Sequence, residues 1–248
     1  MRSYLKSRIR SIFRLFHFDI IRYLPSNSAG AQLARALERT GINLVFDIGA
    51  NEGQFAKEIR EYGYRGKIVS FEPLSSARKK LLALASVDPD WEVHDQSAIG
   101  DLDGEIKIHV AGNSVSSSVL PMLESHSGAA VGSAYIDSER VPMARLDTIA
   151  ARYLTPNSNL FIKIDTQGFE WQVLEGARTA LQQARGVLCE LSLVPLYDGQ
   201  RLWRDIADRL DTEGYMLWAL QKGFTDPRTG QSLQMDGIFL RCDVLKRS

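Results

Sequence analysis

The chain has 248 residues, with 30 Lys and Arg balanced by 30 Asp and Glu, 44% hydrophobic residues and two cysteines. That length suits one large α/β domain with a short extension, and the composition is that of an ordinary soluble globular protein rather than a disordered or fibrous one. Cys189 and Cys242 both fall in apolar, strand-like runs, which reads as two small buried hydrophobes in a reducing, cytoplasmic compartment and argues against a disulfide framework, a thiolate nucleophile or a cysteine metal site.

The balanced charge conceals an asymmetry. Residues 1–22 carry Arg2, Lys6, Arg8, Arg10, Arg14 and Arg22 against Asp19 alone, a net +5, so the body is mildly acidic. An acidic body lacks the basic stripe of a nucleic-acid-binding surface. In the arm, Ile9, Ile12, Phe13, Phe16 and Ile20 recur at helical spacing between arginines, which predicts an amphipathic helix over residues 4–23. Charges interrupt every apolar run and no small-residue cleavage site follows, so the arm is read as neither a signal peptide nor a membrane span. Two readings stay open: the apolar stripe packs on the body or on a second copy in a homodimer, or it attaches peripherally to the inner, anionic face of a membrane.

Pro25 to Ser28 breaks the chain, and Ala31 to Arg39, ended by Gly41, reads as a second helix, a lid before the first strand. Residues 1–40 are thus an arm and lid, and residues 41–248 the main domain. The run Leu44 to Phe46 then ends in Asp47 and Ile48-Gly49-Ala50-Asn51-Glu52-Gly53-Gln54-Phe55, a strand, tight turn and helix start. Gly49 permits close approach or positive φ, and the turn offers free N–H groups at a helix N-terminus. The carboxylate of Asp47 would repel a phosphate, and Asn51 stands where a dinucleotide motif has its second glycine. A ligand with an amino group and no phosphate fits better. Lys67 to Phe71 is the second strand, and Glu72-Pro73 follows about 20 residues after the glycines, the spacing at which an acid takes ribose hydroxyls.

Ser75 to Ala85 reads as a helix, Trp91 to His94 as a third strand, and Asp95 to Gly100 as the segment after it. Glu105 to Val110 alternates like a hairpin or edge strand. Gly112 to Ser138 is the least regular part of the body, with Ser114, Ser116 to Ser118 and His126; long loops in compact domains are usually functional or mobile, and the acceptor-binding lid is placed here. Arg140 to Ala144 is strand-like, and Asp147 reads as the N-cap of a helix through Tyr153. Leu160 to Ile164 is a buried strand that delivers Asp165 at its carboxyl end, where catalytic groups gather in parallel sheets. Val187 to Ser192 is the next, with Glu190 among apolar neighbours; a buried carboxylate needs a partner, and a pair with Lys163 or an arginine is one solution. A helix over Gln200 to Glu213 and strands at Tyr215 to Leu220 and Asp236 to Leu240 close the chain. Strand and helix alternate throughout, which predicts a Rossmann-like α/β domain with ligands at the carboxyl ends of its strands.

Asp47-Ile-Gly-Ala-Asn-Glu-Gly53, Ser70-Phe-Glu-Pro73 and Lys163-Ile-Asp-Thr-Gln-Gly-Phe-Glu170 together resemble the FkbM family of S-adenosylmethionine-dependent methyltransferases, over roughly Leu44 to Arg241. The resemblance implies a class I methyltransferase fold: a seven-stranded, mostly parallel sheet with a final antiparallel hairpin, here with an N-terminal helical extension. It implies a cofactor site built from Asp47, Gly49, Asn51, Gly53, Phe55, Glu72 and Pro73, with Ser97 and Ala98 beside the adenine; an Asx-type turn is the alternative for the latter segment. Ser192 to Tyr197 and Gln234 to Phe239 resemble the branch that methylates sugar hydroxyls, on a sugar-containing small molecule, a glycolipid or a polysaccharide. Asp165 and Glu190 would face that acceptor and either deprotonate it or hold a divalent cation such as Mg²⁺. His126, the one histidine in the lid, is a third candidate base, whereas His17, His94 and His109 read as structural. Thr166-Gln167 stands where many family members carry Val-Glu, which removes one acid a cation could use. A short-chain NAD(P)-dependent oxidoreductase and a non-enzymatic membrane-surface module are the rival readings; the first lacks its glycine and a Tyr-x-x-x-Lys pair, and the second would need no acids at strand ends.

Overall fold

A computed structural model describes residues 11–13, 15–16, 18 and 23–246. The expected arm helix lies for the most part outside them. Four apolar runs of the sequence become the parallel centre of a sheet: β1 (Leu44–Ile48), β2 (Lys67–Phe71), β7 (Leu160–Ile164) and β8 (Ala184–Ser192). With β3 (Trp91–Val93), β9 (Tyr215–Lys222) and β10 (Gln234–Arg241) they form a seven-stranded sheet in the order β3-β2-β1-β7-β8-β10-β9. Only β10 is reversed, pairing antiparallel with both β8 and β9. This is the class I methyltransferase architecture, with its closing antiparallel hairpin.

The central runs are apolar at most positions because both faces are covered, with Asp47 and Lys163 as buried exceptions. Along β1, Val45 turns to one face and Phe46 to the other. The Val45 face packs with Ile68, Phe161 and Leu188 against α1 (Ala29–Arg39), α2 (Gln54–Glu61) and α3 (Ser75–Ala85), through Leu33, Ile59 and Leu81. The Phe46 face packs with Ile162 and Val187 against α6 (Glu170–Glu175), α7 (Arg178–Gln183) and α8 (Trp203–Thr212), through Leu174, Leu181 and Leu210. Helix α1 starts two residues earlier than the sequence suggests because the Ser28 hydroxyl accepts from the Ala31 amide. It lies close over α2: a Cβ on Gly30 would fall 1.9 Å from the Tyr62 ring.

A second sheet of three strands, in the order β4-β6-β5, holds β4 (Ala98–Gly100), β5 (Gly104–Ala111) and β6 (Tyr135–Arg145). The expected edge strand and the strand-like run after the lid pair here, antiparallel, and β6 is longer than its apolar residues imply. The sheet leans on α6, where a Cβ on Gly176 would lie 1.8 Å from the Gly100 carbonyl. Between β5 and β6 the irregular segment carries one short helix, α4 (Glu124–Ser127). The short helices α5 (Leu146–Ala150) and α9 (Cys242–Leu245) complete the described fold.

Two expectations change. Asp147 does not cap its own helix; it lies inside α5, and its carboxylate accepts from the Thr179 and Ala180 amides, both at 2.9 Å, so it caps α7. Cys189 is buried in the sheet as expected, but Cys242 is exposed, because β10 ends one residue before it and α9 turns it outward.

Candidate active site

A cavity of about 650 Å³ opens at the carboxyl ends of β1, β2, β7 and β8, within the usual size of a small-molecule site. One wall is the turn after β1. Gly49 has φ +72°, and a Cβ there would sit 1.9 Å from the Asp165 carbonyl oxygen. The glycine is therefore demanded by the neighbouring chain, rather than by a ligand as the motif alone suggests. Asn51, also left-handed at φ +46°, donates its amide to Glu72 Oε2 at 2.7 Å, and the Leu74 amide reaches Glu72 Oε1 at 2.8 Å. Glu72 thus fixes the turn against β2 while lining the cavity. Burial pushes its pKa up to about 7, against the pull of the Leu74 and Asn51 amides. A raised carboxyl pKa means that the stability tied to this group is full below 4.5 and declines as pH rises through about 7.

Of the cofactor residues expected from the sequence, Gly49, Asn51, Phe55, Glu72, Pro73, Ser97 and Ala98 line this cavity. Asp47 and Gly53 do not. Gly53 is packed beneath the turn, where a Cβ would meet Trp91 and Leu81 at about 3 Å. Asp47 is wholly buried behind it: Trp91 Nε1 donates to Ser70 Oγ, Ser70 Oγ donates to Asp47 Oδ2, and Lys163 Nζ lies 3.1 Å from Asp47 Oδ1. Lys163 also donates to the carbonyls of Gly49, at 2.8 Å, and Ile48, at 3.3 Å. Burial opposes the Lys163 charge, but the Asp47 carboxylate, followed by Asp165, outweighs it and holds its pKa above the ordinary lysine value. Lys163 therefore pairs with Asp47, not with Glu190, and clamps the turn that shapes the cofactor side.

The cavity fits an adenosyl sulfonium better than a dinucleotide. Among the described residues its wall carries five carboxyl groups, Glu58, Glu72, Asp165, Glu190 and Asp236, and one cation, Lys163, which is paired with Asp47; it offers acceptors to a cation and no free counter-charge to a pyrophosphate. The Ser97 hydroxyl, buried at the wall, has no protein partner and can meet an exocyclic amine, which satisfies it.

Beyond the turn, Asp165 and Glu190 come together through a residue the sequence marked only as a departure. Gln167 Nε2 lies 2.9 Å from Asp165 Oδ1 and 3.1 and 2.9 Å from the two Glu190 oxygens. Asp165 is 39% exposed by side chain and stands 3.7 Å from Lys163. Burial, and then the charge of Asp165, push Glu190 well above the ordinary carboxyl range, while the Gln167 amide pulls the other way. Asp236, directly opposite Glu190 across β8 and β10, is pushed up to about 7 by burial and by Asp165. Nothing in the sequence pattern singled out Asp236; its register with Glu190 is the only signal that could have.

The expected divalent cation does not fit. Gln167 fills the gap between the two carboxylates, and among the described residues no three His, Cys, Asp or Glu side chains gather as a metal site. Glu170 is spent on the backbone, accepting from the Thr166 and Gly168 amides. The lid serines are also largely committed within the protein: Ser117 Oγ accepts from the Ala111 amide, Ser118 Oγ donates to the Gln167 carbonyl at 2.6 Å, and Ser116 Oγ meets His126 Nε2 at 3.0 Å. His126 lines the cavity between the Tyr197 and Phe224 rings, its pKa lowered by burial, and Nδ1 has no protein partner. Its side-chain partner is Ser116, so the structure links it to the lid and not to the carboxyl pair. Tyr197 is fully buried and donates toward Gln167 Oε1 at 2.9 Å.

Against this geometry, the sequence pattern described as Methyltransferase FkbM domain matches residues 47–217. No curated protein matches the chain. Among solved structures, methyltransferase FkbM from Methylobacillus flagellatus KT has 13% identity and a TM-score of 0.49 over 79% of this chain, which spans only 43% of that one. Aeropyrum pernix fibrillarin, in complex with natively bound S-adenosyl-L-methionine, has 11% identity and a TM-score of 0.46, covering 84% of this chain and 74% of its own. Burkholderia thailandensis 1,6-didemethyltoxoflavin-N1-methyltransferase, with bound 1,6-didemethyltoxoflavin and S-adenosylhomocysteine, has 12% identity and a TM-score of 0.44, covering 86% and 78%.

Proposed function

From the premise that the chain belongs to the FkbM methyltransferase family, we propose that it transfers a methyl group from S-adenosylmethionine to a sugar hydroxyl, carried on a glycolipid or polysaccharide. The observation that carries this reading is the carboxyl pair Asp165 and Glu190, held at the cavity wall next to the Gly49 turn and Glu72. When bound, S-adenosylmethionine supplies an electrophilic methyl group whose bond to sulfur breaks, leaving the electron pair on sulfur, as the acceptor oxygen bonds to carbon. The protein supplies the rest. A neutral hydroxyl is a poor nucleophile, and Asp165, the more exposed carboxylate, takes its proton. Burial and the neighbouring Asp165 charge favour the protonated form of Glu190, which can then donate a hydrogen bond to the acceptor, a division of roles between two carboxyls that their different surroundings favour. Gln221, Gln234 and Asp236 line the same side and offer hydrogen bonds to further hydroxyls.

Glu72 and the Ser97 hydroxyl would hold the ribose and adenine ends. Removing a charged hydrogen-bond acceptor typically costs 1.5–3 kcal/mol, so Glu72→Ala is expected to weaken S-adenosylhomocysteine binding by about tenfold or more. Calorimetric titration reads this without an acceptor, and an unchanged affinity would remove Glu72 from the site.

The arm supports a lipid-linked acceptor. Residues 1–22 carry a net charge of +5, and Ile12, Phe13, Leu15, Phe16 and Phe18 are exposed. Apolar side chains among cations suit an anionic bilayer surface; no helix among the described residues is long and apolar enough to cross a membrane. The test is tritium transfer from labelled S-adenosylmethionine to a panel of glycolipids, with and without chelator, using the full chain and a chain lacking residues 1–24. Label is expected in a sugar-bearing product, insensitive to chelator. The truncated chain should cease to co-sediment with anionic liposomes while still binding S-adenosylhomocysteine. A panel left unlabelled in every sugar class would overturn the acceptor, and liposome binding that survives truncation would overturn the arm's role.

A further inference from the structure

Gln167 is held from every side. Its backbone has φ +53°, a left-handed conformation that costs a non-glycine residue energy and persists only where surrounding structure enforces it. Its carbonyl accepts from Ser118 Oγ at 2.6 Å in the lid. Its side-chain oxygen faces the Tyr197 hydroxyl, which is also 3.2 Å from the Ser116 carbonyl. Its amide nitrogen has two hydrogens, and two carboxyl groups stand within 3.1 Å of it. A flipped amide would aim its oxygen at both carboxyls and turn its nitrogen to the phenol; the Tyr197 hydroxyl, donating to Oε1, holds the other orientation.

Asp165 and Glu190 would otherwise be two like charges at the edge of a poorly solvated cavity, with Asp236 beside them. Two carboxylates so placed repel, and without a bridging donor they move apart or take up protons. An amide that donates to both costs less desolvation than a cation would, and it leaves each carboxyl a free lone pair toward the cavity.

We infer that Gln167 is a positioning residue for methyl transfer: its amide, oriented by Tyr197, holds Asp165 and Glu190 as one hydrogen-bonded pair that accepts the acceptor's proton, in the place a metal ion would otherwise fill. This rests on the reading of Asp165 as the base. The lid enters the same arrangement, since Ser118 and Ser116 touch Gln167 and its phenol from the substrate side.

The amide donors favour the ionised pair, so their loss raises the pH at which the pair deprotonates. Gln167→Met keeps the side chain's length and removes both donors; Tyr197→Phe keeps the buried ring and removes only the hydroxyl that orients the amide. With carboxyl-¹³C-labelled Asp and Glu, the titration of the pair can be followed by NMR in the full chain without any acceptor. Gln167→Met is expected to move the midpoints of the pair by about one pH unit to the alkaline side, and Tyr197→Phe by less in the same direction. The acid limb of the pH–rate profile should shift alike, lowering kcat by roughly tenfold at pH values on that limb, with the KM for S-adenosylmethionine within about twofold of the parent. A midpoint and limb unmoved in both folded variants would overturn the inference. An Asp165→Asn enzyme that still turned over would instead overturn the base assignment, and the acceptor-free titration tells the two apart.

Discussion

Asp165→Asn is expected to lower kcat for methyl transfer by roughly 10²–10⁴-fold, the usual worth of a positioned general base. The substitution is nearly silent structurally, which makes the result informative. Asparagine keeps an oxygen to accept from Gln167 at the place of Asp165 Oδ1. Lys163 loses only its longer partner, at 3.7 Å, and retains Asp47 at 3.1 Å with the Gly49 and Ile48 carbonyls. The site should therefore keep its shape and its affinity for S-adenosylhomocysteine while losing the group that removes the acceptor's proton. Steady-state rates with a sugar acceptor, set beside calorimetry, separate these effects. A rate within a few-fold of the parent would show that proton removal does not pass through Asp165, and His126, with its unpartnered Nδ1, would be the next group to replace.

Lys163→Met should produce the largest loss of stability at any position in the site. Methionine fills similar space, but it leaves the wholly buried Asp47 carboxylate without its counter-charge and the Gly49 carbonyl without its donor, while the Ile48 carbonyl keeps the Asp165 amide. Breaking a buried ion pair from one side costs about 3–5 kcal/mol. For a chain of this size that lowers the melting temperature by roughly 10 °C or more. Thermal unfolding followed by circular dichroism measures it. Asp47→Asn in the same chain should recover part of the loss, because the stranded charge goes with it; a double variant as unstable as the sum of the two singles would mean that the pair is not coupled.

The sheet was legible in the sequence because its strands are apolar at consecutive positions and end in acids or glycines. One wall of the cavity was legible for the same reason: Gly49, Asn51, Glu72 and Ser97 follow strands, and all four line it. The inner pair was harder to see. Asp47 and Lys163 each interrupt an otherwise apolar strand, and the parallel register sets them side by side. Two opposite charges at matching depths in adjacent buried strands were a usable signal, but Asp47 was assigned to the ligand and Lys163 to Glu190. Gln167 was noticed only for the acid it replaces, since an amide's worth depends on what stands at both of its ends. At its nitrogen end stand Asp165 and Glu190, 25 positions apart in the chain, and at its oxygen end Tyr197. The three-stranded sheet escaped because β4 is three residues long and pairs with a strand far downstream.

The contacts that meet at Gln167 come from residues 116–118, 165–167, 190 and 197, stretches spread over 82 positions of the chain. The pair is therefore held only while all of these stretches stay in place, so a disturbance of the lid at Ser118 reaches the carboxyls through Gln167 without touching the sheet.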